Sequence, residues 1–164
     1  KNGQSASDIY IWADDPEKTK QVLILELKST TSAHNAGDSR ENMVAQVKRY
    51  ARDFYSNPTK ILNWDVETDK VQYIGVILAR KSDIKKEMLS DTTSGDFKRI
   101  PFLANSYYND DKFQNPKSDN PQEKIPIRLE LYSFEDIYEL ASSRNEVFFK
   151  LLKNEFAAEE ISEI

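Results

Sequence analysis

Three side chains near the start of the chain have types and spacings that could hydrolyse a phosphate ester. Asp8 opens a run rich in β-branched and aromatic residues, Asp8-Ile9-Tyr10-Ile11-Trp12, and Glu26 and Lys28 close a second run that starts at Gln21. Side chains alternate along a strand, so Glu26 and Lys28 share a face with Val22 and Ile24, while Leu23, Leu25 and Leu27 take the other. A face that is apolar through Ile24 and then turns to Glu and Lys sets charge at the edge of its own core. Burying an unpaired charge costs several kcal/mol, so these groups need each other, a metal or water. If a hairpin sets Asp8 beside Glu26, two carboxylates converge, and a divalent cation relieves their repulsion. Mg²⁺ (or Mn²⁺) suits one or two carboxylates completed by waters and phosphate oxygens. Lys28 would then orient the attacking water and offset charge in the transition state. The plainer reading is a solvated strand end at Glu26 and Lys28, with Asp8 simply starting a strand.

The elements that must position these residues follow from periodicity and punctuation. Ala13-Asp14-Asp15-Pro16 is a turn signal, so the first two runs form an antiparallel hairpin. The second run is apolar at every position in its first part, as in a strand covered on both faces. Ser29 to Asp38 is a polar loop holding His34, read as a surface residue close in sequence to Lys28. A helix is predicted from about Ser39 to Tyr55, with Ser39 as N-cap and Asn42 at the third helical position. Met43, Val47, Tyr50, Ala51 and Phe54 form its apolar stripe, and Asn57-Pro58 ends it. Gln46 and Tyr50 lie on one helix face. After a short connection, Val71 to Ala79 reads as a central buried strand, which makes the helix a βαβ crossover.

Residues 91–124 are polar and broken by Pro101, Pro116 and Pro121, and are expected to be an irregular insertion: a lid, a partner-binding excursion or a flap packed down by its aromatics. Ile125 to Tyr132 is a further strand, with Pro126 at its first residues or on an edge. Ser133 caps a final helix from Phe134 that Ser142-Ser143 can interrupt; Ile137, Leu140, Ala141, Val147, Phe148, Leu151 and Leu152 give it an apolar face. Trp12 and Trp64 are assigned to the core.

Composition narrows the chemistry. The chain has 164 residues, enough for one domain with a sizeable core. Its 28 acidic and 23 basic residues give a net charge of −5, which argues against a generally basic nucleic-acid binder; a polyanion would need a local basic patch or a metal. Lys48, Arg49 and Arg52, and then Arg80, Lys81, Lys85 and Lys86, are such patches or ordinary solvated faces. Tyr107-Tyr108 either stacks on bases or packs its own loop. With no cysteine and one histidine, disulfides, thiol nucleophiles, Cys-ligated zinc and His-built zinc are not expected. None of the four glycines forms a phosphate-binding G-x-x-x-x-G-K loop. No apolar run approaches the roughly 20 residues that span a bilayer, and the first residues lack a signal-peptide core. The start at Lys1 reads as an excised piece of a longer protein, with the cytoplasm as default location.

Asp8, Glu26-Leu27-Lys28 and Gln46-Val47-Lys48-Arg49-Tyr50, in the order strand, strand, helix, strand, resemble the PD-(D/E)xK nuclease superfamily, the restriction-endonuclease-like fold. The resemblance covers roughly residues 8 to 79; Ser7 stands where the family has proline. A bare Glu-x-Lys carries little, since Asp83-Ile84-Lys85 and Asp110-Asp111-Lys112 match it too. The resemblance implies an α/β fold with a mixed central sheet flanked by helices. It implies a magnesium-dependent hydrolase cutting nucleic acid, DNA before RNA. Asp8 and Glu26 would hold the metal, Lys28 would position water and Gln46 would orient the site. Tyr50, Lys48 and Arg49 are the substrate-binding candidates. The alternative is the same fold without metal chemistry, docking to or transducing for a fused or associated ATPase.

Overall fold

A computed structural model describes residues 9–13, 20–28, 42–88 and 96–162. The chain is an α/β protein, and its described residues build one mixed sheet of six strands: β1 (Ile9–Ala13), β2 (Gln21–Leu27), β3 (Gln72–Ala79), β4 (Lys98–Arg99), β5 (Tyr107–Gln114) and β6 (Lys124–Ser133). Their order across the sheet is β1-β2-β3-β6-β5-β4. β2, β3 and β6 run parallel, and the remaining pairings are antiparallel. The helices are α1 (Met43–Ser56), α2 (Thr59–Leu62), α3 (Lys81–Met88) and α4 (Phe134–Ser162). No described helix is long and apolar enough to cross a membrane.

The sheet has unequal faces. Val22, Ile24, Tyr73, Ile77, Ile127, Leu129 and Leu131 are buried on one face, which α1 covers with Val47, Tyr50, Ala51 and Phe54. Aromatic rings close this core: Phe54 stacks on Tyr10 and Trp12 and meets Tyr73 edge-on, while Phe113 meets Tyr55 and Tyr73. On the other face no residue of β2, β3 or β6 is fully buried, and Leu27 is exposed. The expectation that β2 is covered on both faces is therefore corrected. Its apolar run reflects a strand with one sealed and one half-open side.

Gly75 sets how closely α1 sits on the sheet. A Cβ at this position would lie 2.5 Å from Val47 Cγ1 and 3.0 Å from Leu129 Cδ2, so a side chain there would lift the helix. The start of α1 also differs from expectation. Ser39 lies outside the described residues, and Asn42 is the N-cap rather than a helical residue, accepting from Ala45 N–H at 2.7 Å. The two preceding donors, Met43 and Val44 N–H, go to the buried Glu87 carboxylate of α3 at 3.2 and 3.0 Å. A neighbouring helix thus satisfies the first turn, which local sequence cannot show.

Of the expected insertion, the described residues 96–124 are not simply irregular. They supply β4 and the eight-residue β5, which pairs along its whole length with β6. The alternation is hidden because Asn109, Asp110, Asp111 and Lys112 fall in the middle of the strand; two of them are anchored by salt bridges, Asp111 to Lys48 and Asp110 to Arg128. β6 starts with Pro126 near its beginning, as read from sequence. Ser133 caps α4, accepting from Asp136 N–H at 3.0 Å, and the helix runs through Ser142-Ser143 unbroken. Its expected core face is corrected. Ile137, Leu140, Val147, Phe148 and Leu151 are all exposed, and none of the described α4 side chains joins the apolar core. Trp64, assigned to the core, is 51% exposed in the turn after α2.

Candidate active site

The end of β2 carries the site. The β1–β2 register pairs Ile9 with Leu25. Asp8 and His34 lie outside the described residues. Glu26 follows Ile24 on the α1-covered face and is 5% exposed. Lys28 follows on the same side, just past the strand, where its N–H donates to Leu78 O of β3 at 2.9 Å. The amine bends back: Lys28 Nζ lies 2.8 Å from Glu26 Oε1 and donates to Gln46 Oε1 at 2.5 Å. Gln46 Nε2 then donates to the Tyr50 hydroxyl at 2.6 Å, one helical turn on. Tyr10 of β1 donates to the Tyr50 carbonyl at 3.5 Å. Burial, with Asp53 next in weight, holds the Tyr10 hydroxyl well above its ordinary range, so it stays a neutral donor.

Four of the sequence candidates, Glu26, Lys28, Gln46 and Tyr50, thus form one connected chain. The Gln46 amide is oriented from both ends. An ammonium can only donate, so the amide oxygen must face Lys28 and the NH₂ must face Tyr50. Arg49 is not in the chain, but its guanidinium lies 4.8 Å over the Tyr50 ring. Lys48 is engaged elsewhere, in an ion pair with Asp111 at 2.5 Å. Neither Gly75, which lets α1 approach, nor Glu87, which anchors its first turn, was singled out by the sequence reading. A lone glycine in an apolar run was the only available signal.

Glu26 has one further property. Its Oε2 is buried and has no hydrogen-bond partner among the described residues. A buried carboxylate oxygen normally has a donor. Glu26 Oε2 is a hard, anionic oxygen of the kind Mg²⁺ takes, so this residue fits a divalent cation as one ligand. Among the described residues no three acidic or histidine side chains converge as a metal group. A surface cavity of about 620 Å³ opens beside the starts of α3 and α4, lined by Arg80, Lys81, Asn105, Phe134, Glu135 and Tyr138 among others; it contains none of the four linked residues. Two of its charges are engaged: Arg80 pairs with Asp83, and Glu135 accepts from the Lys81 backbone N–H. The chain matches no family model, no curated protein and no solved structure.

Proposed function

We propose that this chain is a divalent-metal-dependent nuclease domain with a restriction-endonuclease-like core, hydrolysing phosphodiester bonds in nucleic acid, DNA before RNA. The observation that carries this reading is the Glu26 carboxylate, buried, tied to Lys28 through one oxygen and left without a donor on the other. In this reading Glu26 and Asp8 hold a Mg²⁺ or Mn²⁺ ion. Once bound, such an ion polarises a phosphoryl oxygen and lowers the pKa of water. The residues of the chain do the rest. Gln46 is locked by Tyr50, and it holds the Lys28 amine beside Glu26 rather than free in solvent. A fixed ammonium at that point orients water and offsets the charge that develops on phosphorus oxygens. Arg49, over the Tyr50 ring, lies on the same helix as a cation for the phosphate backbone, whereas Lys48 would first have to leave Asp111.

The test is a calorimetric titration of the chain with Mg²⁺ and Mn²⁺, paired with cleavage of labelled DNA and RNA. Metal binding that is lost, and cleavage that falls on the order of 10²–10³-fold, are expected in Glu26→Gln and Asp8→Asn. A second reading, a metal-free docking or transducer domain for an associated ATPase, is favoured by the Lys28–Glu26 pair, which already neutralises the acid internally. Silence toward both metals, with no cleavage, selects it.

A further inference from the structure

We propose that Phe102 is a base-stacking wedge, a ring presented to the nucleic-acid strand from the far edge of the sheet; the proposal rests on the nuclease reading above. Phe102 is fully exposed, and its φ is +68°. It is the third residue of the turn Ile100-Pro101-Phe102-Leu103, closed by Leu103 N–H to Ile100 O at 3.1 Å. Proline second and positive φ third is the pattern of a type II turn, whose third position belongs to Gly or Asn. A left-handed backbone is costly for any residue with a Cβ, and an exposed ring gains nothing from burial. Folding alone therefore favours a different residue here on two independent counts. A costly conformation that the surroundings hold in place is a sign of use.

The surroundings do hold it. Ile100 N–H donates to Ser106 O at 2.9 Å, closing the loop at its base. The Asp136 carboxylate, 2% exposed, accepts from Asn105 N–H at 2.8 Å and from the Ser106 hydroxyl at 2.6 Å. The ring thus sits on a clamped mount and loses little freedom on contact.

Position and charge name the partner. The register aligns Glu26, Ile77, Leu131, Tyr107 and Arg99 in one row across the sheet. Four strand spacings, about 19 Å, separate Glu26 from Arg99. Arg99 and Lys98 are exposed, and the Phe102 turn follows them directly. A strand engaged at Glu26 and running along this sheet end meets Arg99, on the same face as Glu26, and then an aromatic ring; Lys98, in register with Tyr108 and Glu130, faces the other side. Cations that track phosphates beside a ring that stacks on bases are the elements of a nucleic-acid contact. An apolar pocket of a protein partner would not call for an exposed guanidinium beside the ring.

The test uses the full chain carrying Glu26→Gln, so that nothing is cut, and reads anisotropy against labelled single-stranded and duplex DNA. Adding Phe102→Gly should leave the Tm unchanged or raise it, and weaken binding by about 5- to 50-fold, whatever the sequence. Phe102→Trp should keep the affinity, with its added fluorescence quenched by the strand. A larger loss on single strands means stacking on unpaired bases; a larger loss on duplex means insertion between base pairs. If the parent binds DNA and Phe102→Gly binds it equally well, or weakens it only with a falling Tm, the wedge is overturned and the nuclease reading stands. If the parent binds neither DNA form, the wedge falls, and cleavage of DNA and RNA by the unsubstituted chain decides the nuclease reading separately.

Discussion

Two glutamates on opposite faces of the same sheet are treated differently. Glu130 lies on the open face with a quarter of its side chain exposed, yet both of its oxygens are used: Arg128 Nε donates to one at 3.3 Å and the Tyr132 hydroxyl to the other at 2.8 Å. Arg128 also pairs with Asp110 and lies 4.0 Å over the Tyr108 ring. Burial, then the Glu130 contact, pushes the Tyr132 hydroxyl up to about 12. Glu26 lies on the sealed face, where water is scarce, and has one oxygen occupied and one not. Stability alone predicts the reverse, because the desolvated carboxylate needs partners most. Asp136 shows that this chain can complete a buried acid: both its oxygens accept, from Asn105 and Ser106. Among the described residues, Trp12 Nε1 is the other buried side-chain atom without a partner, but it is a neutral donor; Glu26 Oε2 is a carboxylate oxygen, which is the physical reason for proposing a ligand there.

The comparison can be broken by substitution, and the largest effect is expected at Glu26. Glu26→Gln should lower cleavage on the order of 10²–10³-fold, the scale of losing one aimed charged group. Circular dichroism should show an intact fold, since Gln keeps the volume. Cleavage at the parent rate in that variant removes the hydrolytic assignment.

Asp136→Ala should come next, costing about 2–4 kcal/mol by leaving Asn105 and Ser106 without an acceptor. Its pH dependence sharpens the contrast. Burial alone would raise the Asp136 carboxyl, but hydrogen bonds from Ser106, Asn105 and Ser133 hold it below its ordinary value. The stability from a lowered carboxyl is complete above its unfolded pKa, about 4, and is lost as pH falls through the folded value. Urea melts from pH 6 down to 2 should therefore fall less steeply in Asp136→Asn than in the parent; equal slopes would refute the assignment.

Gly75→Ala should destabilise by about 1–3 kcal/mol, because Val47 and α1 must move. If α1 is what delivers Gln46 to Lys28, the same variant should lose cleavage beyond what its stability loss explains, measured well below its Tm. Tyr50→Phe should cost about 1 kcal/mol and slow cleavage modestly by freeing one end of Gln46. The smallest effect belongs to the open face: Glu130→Gln should change stability by less than about 1 kcal/mol, its pairs being partly solvated, and should leave cleavage unchanged. A cleavage defect there equal to that of Glu26→Gln would erase the difference between the two acids.

The sequence by itself determined what short-range geometry controls. Strand alternation sets Glu26 and Lys28 on the face of Val22 and Ile24, helical spacing sets Gln46 and Tyr50 one turn apart, and a serine before an apolar run caps α4; all three hold because side-chain direction repeats with backbone period. Only the tertiary structure decided the long-range matters. That Lys28 reaches Gln46, 18 residues away, depends on how closely α1 seats over Gly75. That α1 begins at Met43 depends on Glu87, and that the polar run Tyr107–Gln114 is a strand depends on its pairing with β6 and on partners for its charges. Trp64 and the α4 stripe look like core in sequence and are exposed, because hydrophobicity names residues that prefer burial but not the neighbours that provide it. Periodicity acts over a few residues and is written in them, whereas contact between distant segments is settled by the packing of the whole chain.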